Sequence, residues 1–123
     1  MSTDDVETAS RFLAALDAAV RTGDREPVYS LLAADVEWVV PERTLHGVGE
    51  LREKHTWAFP PENLDVDLEG DDWVDLGEGR LATEVREVFR SKETDEIFHQ
   101  RDLRIEVAIR DGKIRRYERH IVG

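Results

Sequence analysis

The sequence predicts an α+β fold in which three N-terminal helices pack on a curved, mainly antiparallel sheet. Three observations point to it. Over Asp4–Arg21, the residues Val6, Ala9, Phe12, Leu13, Leu16, Ala19 and Val20 repeat at the three-to-four spacing of one buried helical stripe. Over Arg80–Arg90 and Ile97–Ile109, apolar and polar residues alternate with the period of two of half-buried strands. Asp111-Gly112 precedes a third such run, Lys113–Ile121, at a place where a two-residue hairpin turn needs positive φ at both positions. Helices followed by antiparallel strands segregate into two layers.

The remaining elements follow in order. Ser2 or Thr3 caps the first helix, its early acids suit the positive end, and Gly23 stops it. Asp24 caps a second, short helix. Pro27 sits in the first turn of that helix, where no intrahelical N–H bond is lost, and Val28, Leu31 and Leu32 form the buried side. Val36–Val40 is a short strand with Trp38 and Val40 on one face, ended by Pro41; Glu42–Gly47 is a loop holding His46. Val48–Phe59 is a third helix, with Val48, Leu51 and His55 on one side and Pro60-Pro61 at its end. Leu64, Val66 and Leu68 alternate with acids in the next strand, Gly70-Asp71-Asp72 marks a bulge or break, and Trp73–Leu76 continues it. Gly77-Glu78-Gly79 turns the chain into the three long strands. A sheet of this extent can curl around the helices and leave a cavity.

The strand faces set the functional expectation. Leu103, Ile105, Val107 and Ile109 share one face, and carried backward that face holds Arg101 and His99. On the preceding strand, Val85 and Phe89 share a face with Thr83 and Glu87. With the turn centred near Thr94, Glu87 lies opposite Arg101, and Phe89 opposite His99. An apolar inward face therefore carries a polar break at one end. On the last strand, a plain two-residue turn pairs Ile109 with Ile114 and sends Arg116, Glu118 and His120 inward.

Composition bounds the rest. With 123 residues the chain is one domain with room for a core. Its net charge of −11 disfavours duplex nucleic acid and anionic membranes as partners. The absence of cysteine excludes disulfides, thiolate nucleophiles and zinc–sulfur sites. No apolar run approaches the ~18–20 residues of a membrane span, and MSTDDVETAS lacks the apolar segment of a signal peptide, so the expected location is cytoplasmic. No two histidines share one element at metal-ligand spacing. Neither a metal nor a cofactor is expected.

Four segments together carry a resemblance: FLAALDAAVRTGD in the first helix, LLAADVEWVVP into the first strand, HGVGELREKH into the third helix and IRDGKIRRYERHI at the end. At this spacing the chain resembles the SnoaL-like branch of the NTF2-like superfamily, cone-shaped α+β barrels that include ketosteroid isomerases, polyketide cyclases and limonene epoxide hydrolase. The resemblance implies a cone over nearly the whole chain and a homodimer formed through the outer sheet face, where Glu84, Arg86, Arg104 and Glu106 alternate. It also implies a bulge after Ile114, which turns Tyr117, Arg119 and Ile121 inward instead, and the apolar character of Tyr117 and Ile121 favours that register. It transfers fold rather than reaction. The isomerase base, an aspartate before the proline that ends the first strand, is replaced here by Val40. The oxyanion tyrosine of the first helix aligns with Phe12, and the second oxyanion acid with Ile105. Steroid isomerisation by that mechanism is therefore not expected. Where polyketide cyclases carry an acid two residues after an aromatic of the last strand, Tyr117 is followed by Arg119, a group unable to act as a base near neutral pH but suited to an anionic ligand.

Glu87, His99 and Arg101 are the candidate catalytic set. Histidine titrates nearest neutrality and suits proton transfer, Glu87 can orient it or act as base, and Arg101 can grip a carboxylate. The competing reading is a structural cross-strand pair, Glu87 with Arg101, and a His99 exposed beside the hairpin turn. Phe12, Trp38, Val40, His55, Val85, Phe89, Leu103, Ile105, Tyr117 and Arg119 are the expected pocket lining. Trp38 and Trp57 can equally form a ligand wall or plain core. Two functions are in view: a small-molecule-binding protein with cofactor-free proton-transfer chemistry, and a non-catalytic ligand-binding or dimerisation module.

Overall fold

In the computed structural model, which describes residues 3–54, 64–70 and 72–122, the amphipathic stretch forms α1 (Thr3–Thr22) and turns Ala9, Phe12, Leu16 and Ala19 into the core. It stops at Gly23, whose φ of 81° lies in the left-handed region and whose N–H donates to the Ala19 carbonyl at 2.9 Å. α2 (Glu26–Ser30) is a single short turn of five residues. The Asp24 carboxylate accepts from the Glu26 N–H at 3.2 Å, but Arg25 occupies the cap position and caps nothing with its side chain. α2 buries Val28 and Tyr29; Leu31 is half-buried, and Leu32 already belongs to the next strand. Tyr29 packs under Arg52 of α3 (Gly47–Lys54), whose guanidinium lies 4.3 Å above the ring and grips Glu26 with bonds of 2.6 and 2.9 Å.

The expected continuation of the third helix to Phe59, with His55, Trp57 and the Pro60-Pro61 stop, lies outside the described residues, as do Ser2 as a cap and Asp71. The first strand is longer than expected: β1 spans Leu32–Val40, with Val36, Trp38 and Val40 buried in alternation. The segment read as a loop is partly a strand. β2 (Arg43–His46) turns back antiparallel on β1, pairing Val40 with Arg43 and Trp38 with Leu45. Leu45 is its one buried residue, so a single apolar position on an edge strand left little pattern to read.

β3 (Leu64–Gly70) and β4 (Val74–Gly77) both pair with β5 (Arg80–Ser91), one after the other along its length. β6 (Ile97–Arg110) and β7 (Lys113–Ile121) complete the sheet, in the order β2-β1-β7-β6-β5-β3 with β4 on β5. All the pairings are antiparallel except β1 with β7, which are parallel, so the curved sheet is mixed. α1 is tied to the β3 edge by Asp17, whose carboxylate accepts from the Leu68 N–H at 3.1 Å. Among the described residues no helix is long and apolar enough to cross a membrane.

The hairpins hold the registers that matter. Asp111 and Gly112 have φ of 53° and 74°, as the two-residue turn requires. Ile109 pairs with Ile114, but Ala108 pairs with Arg116, which leaves Arg115 as a bulged residue. The bulge resolves the last strand: Tyr117 faces inward at 3% exposure opposite Val107, and Arg119 lies opposite Ile105. The β4–β5 turn ends at Gly79, whose carbonyl accepts from the Ile109 N–H at 2.8 Å.

Candidate functional site

Four rows of paired residues run along the inner face. Tyr117, Val107 and Leu81 form the first; Arg119, Ile105 and Thr83 the second; Ile121, Leu103 and Val85 the third; Arg101 and Glu87 the fourth. Period-two alternation puts all of them on one face. Phe12 of α1 meets the first row from above. Its ring lies edge-on to Tyr117 at 5.4 Å and to Trp38 at 6.1 Å, while Trp38, the β1 partner of Tyr117, stacks tilted against it at 4.2 Å.

The polar break in this face is real. Glu87 is 8% exposed and is the one buried carboxylate among the described residues. Arg101 donates from Nε to its Oε1 at 2.5 Å, directly across the strand pair. Tyr117 feels both ends of the face. Burial is the main cause pushing its hydroxyl up to about 12, the Arg119 charge pulls it back and the Glu87 charge adds to the rise. Its hydroxyl therefore stays a proton donor at neutral pH. Arg119 differs from Arg101: its Nε is buried and has no hydrogen-bond partner among the described residues.

The other expected site residues divide. Val40, Val85, Leu103 and Ile105 are buried apolar walls, and Phe89 is half-buried. His99 is exposed, its ring 5.7 Å from Phe89. β7 ends opposite Leu103, so β6 from Ile97 to Gln100 runs on with no strand beside it on that side among the described residues, and alternation fixed the face of His99 without showing whether anything covers that face. His46 is exposed as expected, and His55 lies outside the described residues.

The structure also assembles a set that the sequence reading missed. Glu106 and Glu118 stand opposite each other on the outer face with His120 beside them, their donor atoms within 4.8 Å of one another. Arginines already serve these acids: Arg116 bonds to Glu118, and Arg80 and Arg104 stand 3.7 and 3.8 Å from Glu106. The outward register of Glu118 and His120, which the bulge dictates, was the available signal.

No protein-family model and no curated protein sequence matches the chain. Solved structures do. An NTF2-like protein of unknown function from Burkholderia pseudomallei superposes with a TM-score of 0.72 at 20% identity, over 99% of this chain and 92% of that one. TerC, crystallised with polyporic acid, gives 0.70 at 22% identity over 98% and 92%. A protein of ketosteroid isomerase-like fold from Catenulispora acidiphila, in complex with trimethylamine, gives 0.61 at 16% identity over 89% and 83%. The chain has the NTF2-like, ketosteroid isomerase-like fold.

Proposed function

We propose that this NTF2-like chain is a SnoaL-like protein that binds a small organic molecule between α1 and the inner face of the sheet, and that Glu87 exchanges a proton with it. The observation that carries the reading is Glu87, the one buried carboxylate among the described residues, set on a largely apolar inner face, held by Arg101 and acting through its charge on the buried Tyr117 hydroxyl. Such groups are costly to bury, and fold stability alone gives little return for a buried ion pair. TerC, on the same fold, was co-crystallised with polyporic acid, which supports a small-molecule ligand here.

Glu87 takes a proton from the ligand, or from a water that adds to it, and returns it at another position; isomerisation and cyclisation then consume nothing external, and hydration consumes one water. Arg101 positions Glu87. Tyr117 donates to the oxygen on which negative charge gathers. Isomerisation, cyclisation and hydration are the reaction classes this set serves without a cofactor. His99 lies at the rim, where it exchanges protons with solvent. The positions of the steroid isomerase machinery hold Phe12, Val40 and Ile105, all buried and apolar, so the chemistry does not run through those positions. The test is deuterium incorporation from D2O into small carbonyl compounds with acidic C–H bonds. The intact protein should accelerate it and Glu87→Gln should abolish the acceleration, whereas His99→Ala should keep most of it. Equal rates for the intact protein and Glu87→Gln would remove the role.

A second copy of this chain is the partner we propose. Exposed Ile97 and Phe98 at the start of β6, with Ile121 at the end of β7 and Val122 just past it, leave apolar surface at one end of the sheet, and Phe98 is 75% exposed. Light scattering should find a dimer that Phe98→Asp weakens. A strict monomer at high concentration would leave the non-catalytic association module without its main support.

A further inference from the structure

We infer that the ligand is a monoanion with an apolar body, and that Arg119, together with the Tyr117 hydroxyl, is the seat of its negative end. This rests on the interior-site reading above and adds the charge of what enters.

The two inner arginines are not equivalent. Arg101 spends its charge on Glu87 through the 2.5 Å bond. Arg119 has a buried Nε with no hydrogen-bond partner among the described residues. A guanidinium offers five donors and no acceptor, and it cannot shed its proton to escape the cost of burial. A buried donor left unmade costs its full desolvation, more so when charged. Among the described residues, the inner face therefore carries a buried cationic donor with nothing to accept from it.

Charge counting narrows what can satisfy that donor. Among the described inner-face residues, Glu87 contributes one negative charge, and Arg101 and Arg119 one positive charge each, while Tyr117 is neutral. The excess is a single positive charge. A monoanion cancels it, a neutral ligand or a dianion leaves one unit of charge unbalanced, and a cation leaves two. Arg119 and Tyr117 are two residues apart on one strand with both side chains inward, and the Arg119 charge acts on the Tyr117 hydroxyl. Nε–H and O–H can thus converge on one carboxylate or enolate oxygen pair. Phe12 and Trp38, packed around Tyr117, give the apolar body its wall.

The probes are benzoate and benzamide, alike in shape and different in charge, titrated calorimetrically into the intact protein, Arg119→Met, Arg119→Lys and the outer-face control Arg104→Met. The intact protein and Arg104→Met should bind benzoate at least tenfold more tightly than benzamide. Arg119→Met should bring the two affinities within about twofold, and Arg119→Lys should restore part of the preference. Thermal melts show which variants are folded; should Arg119→Met fail to fold, the intact protein and Arg119→Lys still decide. Equal binding of both probes by the intact protein overturns the anion seat while leaving the interior site standing. A benzoate preference retained by Arg119→Met overturns it too. Binding of neither probe overturns both readings.

Discussion

Glu87 on β5 and Arg101 on β6 stand directly opposite one another, and the Arg101 Nε–H donates to the Glu87 carboxylate across 2.5 Å at the inner face of the sheet. Arg86 and Asp102, the neighbouring pair on the other face, face solvent at 3.4 Å with about half of each side chain exposed. One sheet thus offers the same ion pair in two surroundings. Removing Glu87 leaves a partly buried guanidinium without its partner, so Glu87→Ala should cost about 1–3 kcal/mol in urea unfolding. A double-mutant cycle on Glu87 and Arg101 should give a coupling larger than that of Arg86 and Asp102, for which about 0.2–1 kcal/mol is expected. Equal couplings would show that the inner face is as wet as the outer one.

Tyr117 should report its burial through alkaline titration. Its folded value is raised from 10.0 to about 12, so its neutral form contributes stability in full below pH 10.0, and the contribution is lost as pH rises through about 12. Absorbance of tyrosinate should show one late ionisation that Tyr117→Phe removes. The variant should lose less stability than the intact protein across that window. An intact protein whose tyrosines have both ionised by pH 10 would contradict the buried position.

On the outer face the sign is opposite. The Arg116 hydrogen bond is the main cause holding the Glu118 carboxyl below its usual 4.5, with burial opposing it and His120 assisting. The pair's contribution is present above pH 4.5 and is lost as pH falls through the lower folded value. Carboxyl carbon NMR should find Glu118 titrating below 4.5, and Arg116→Met should move it upward. No movement would assign the lowering to another neighbour.

Gly79 separates strain from collision. Its φ is 76°, and a Cβ there would lie 2.6 Å from the Ile109 carbonyl oxygen; Gly23, at φ 81°, has nothing within 4 Å of that point. Gly23→Ala should cost about 1 kcal/mol of backbone strain. Gly79→Ala should cost clearly more, because the clash sits on backbone that joins the turn to β6. Equal unfolding midpoints for the two variants would mean that the turn yields freely.

Much of this architecture was legible because it is local. Asp111-Gly112 announced its turn, and alternation placed Glu87 against Arg101 and Phe89 against His99. The apolar character of Tyr117 selected the bulge that sends Arg119 inward. Two kinds of information were missing. Partner choice is not local: nothing in IRRYERHI says that β7 lies parallel to β1, and nothing in RTLH says that β2 folds back on it. Coverage is not local either. His99 shares a face with Arg101, yet β7 stops short of it and leaves the ring exposed. Glu106, Glu118 and His120 went unread as a group because their meeting depends on the bulge at Arg115, which sends Glu118 and His120 to the outer face.

The most direct measurement is an amide NMR titration of the intact, labelled protein with a library of small organic molecules, neutral and anionic. The account expects at least one saturable ligand whose shifts centre on Phe12, Glu87, Tyr117 and Arg119, facing each other across the inner surface. Saturable shifts confined to the outer face around Glu84, Arg104 and Glu106, or no saturable shift from any member of the library, would contradict it.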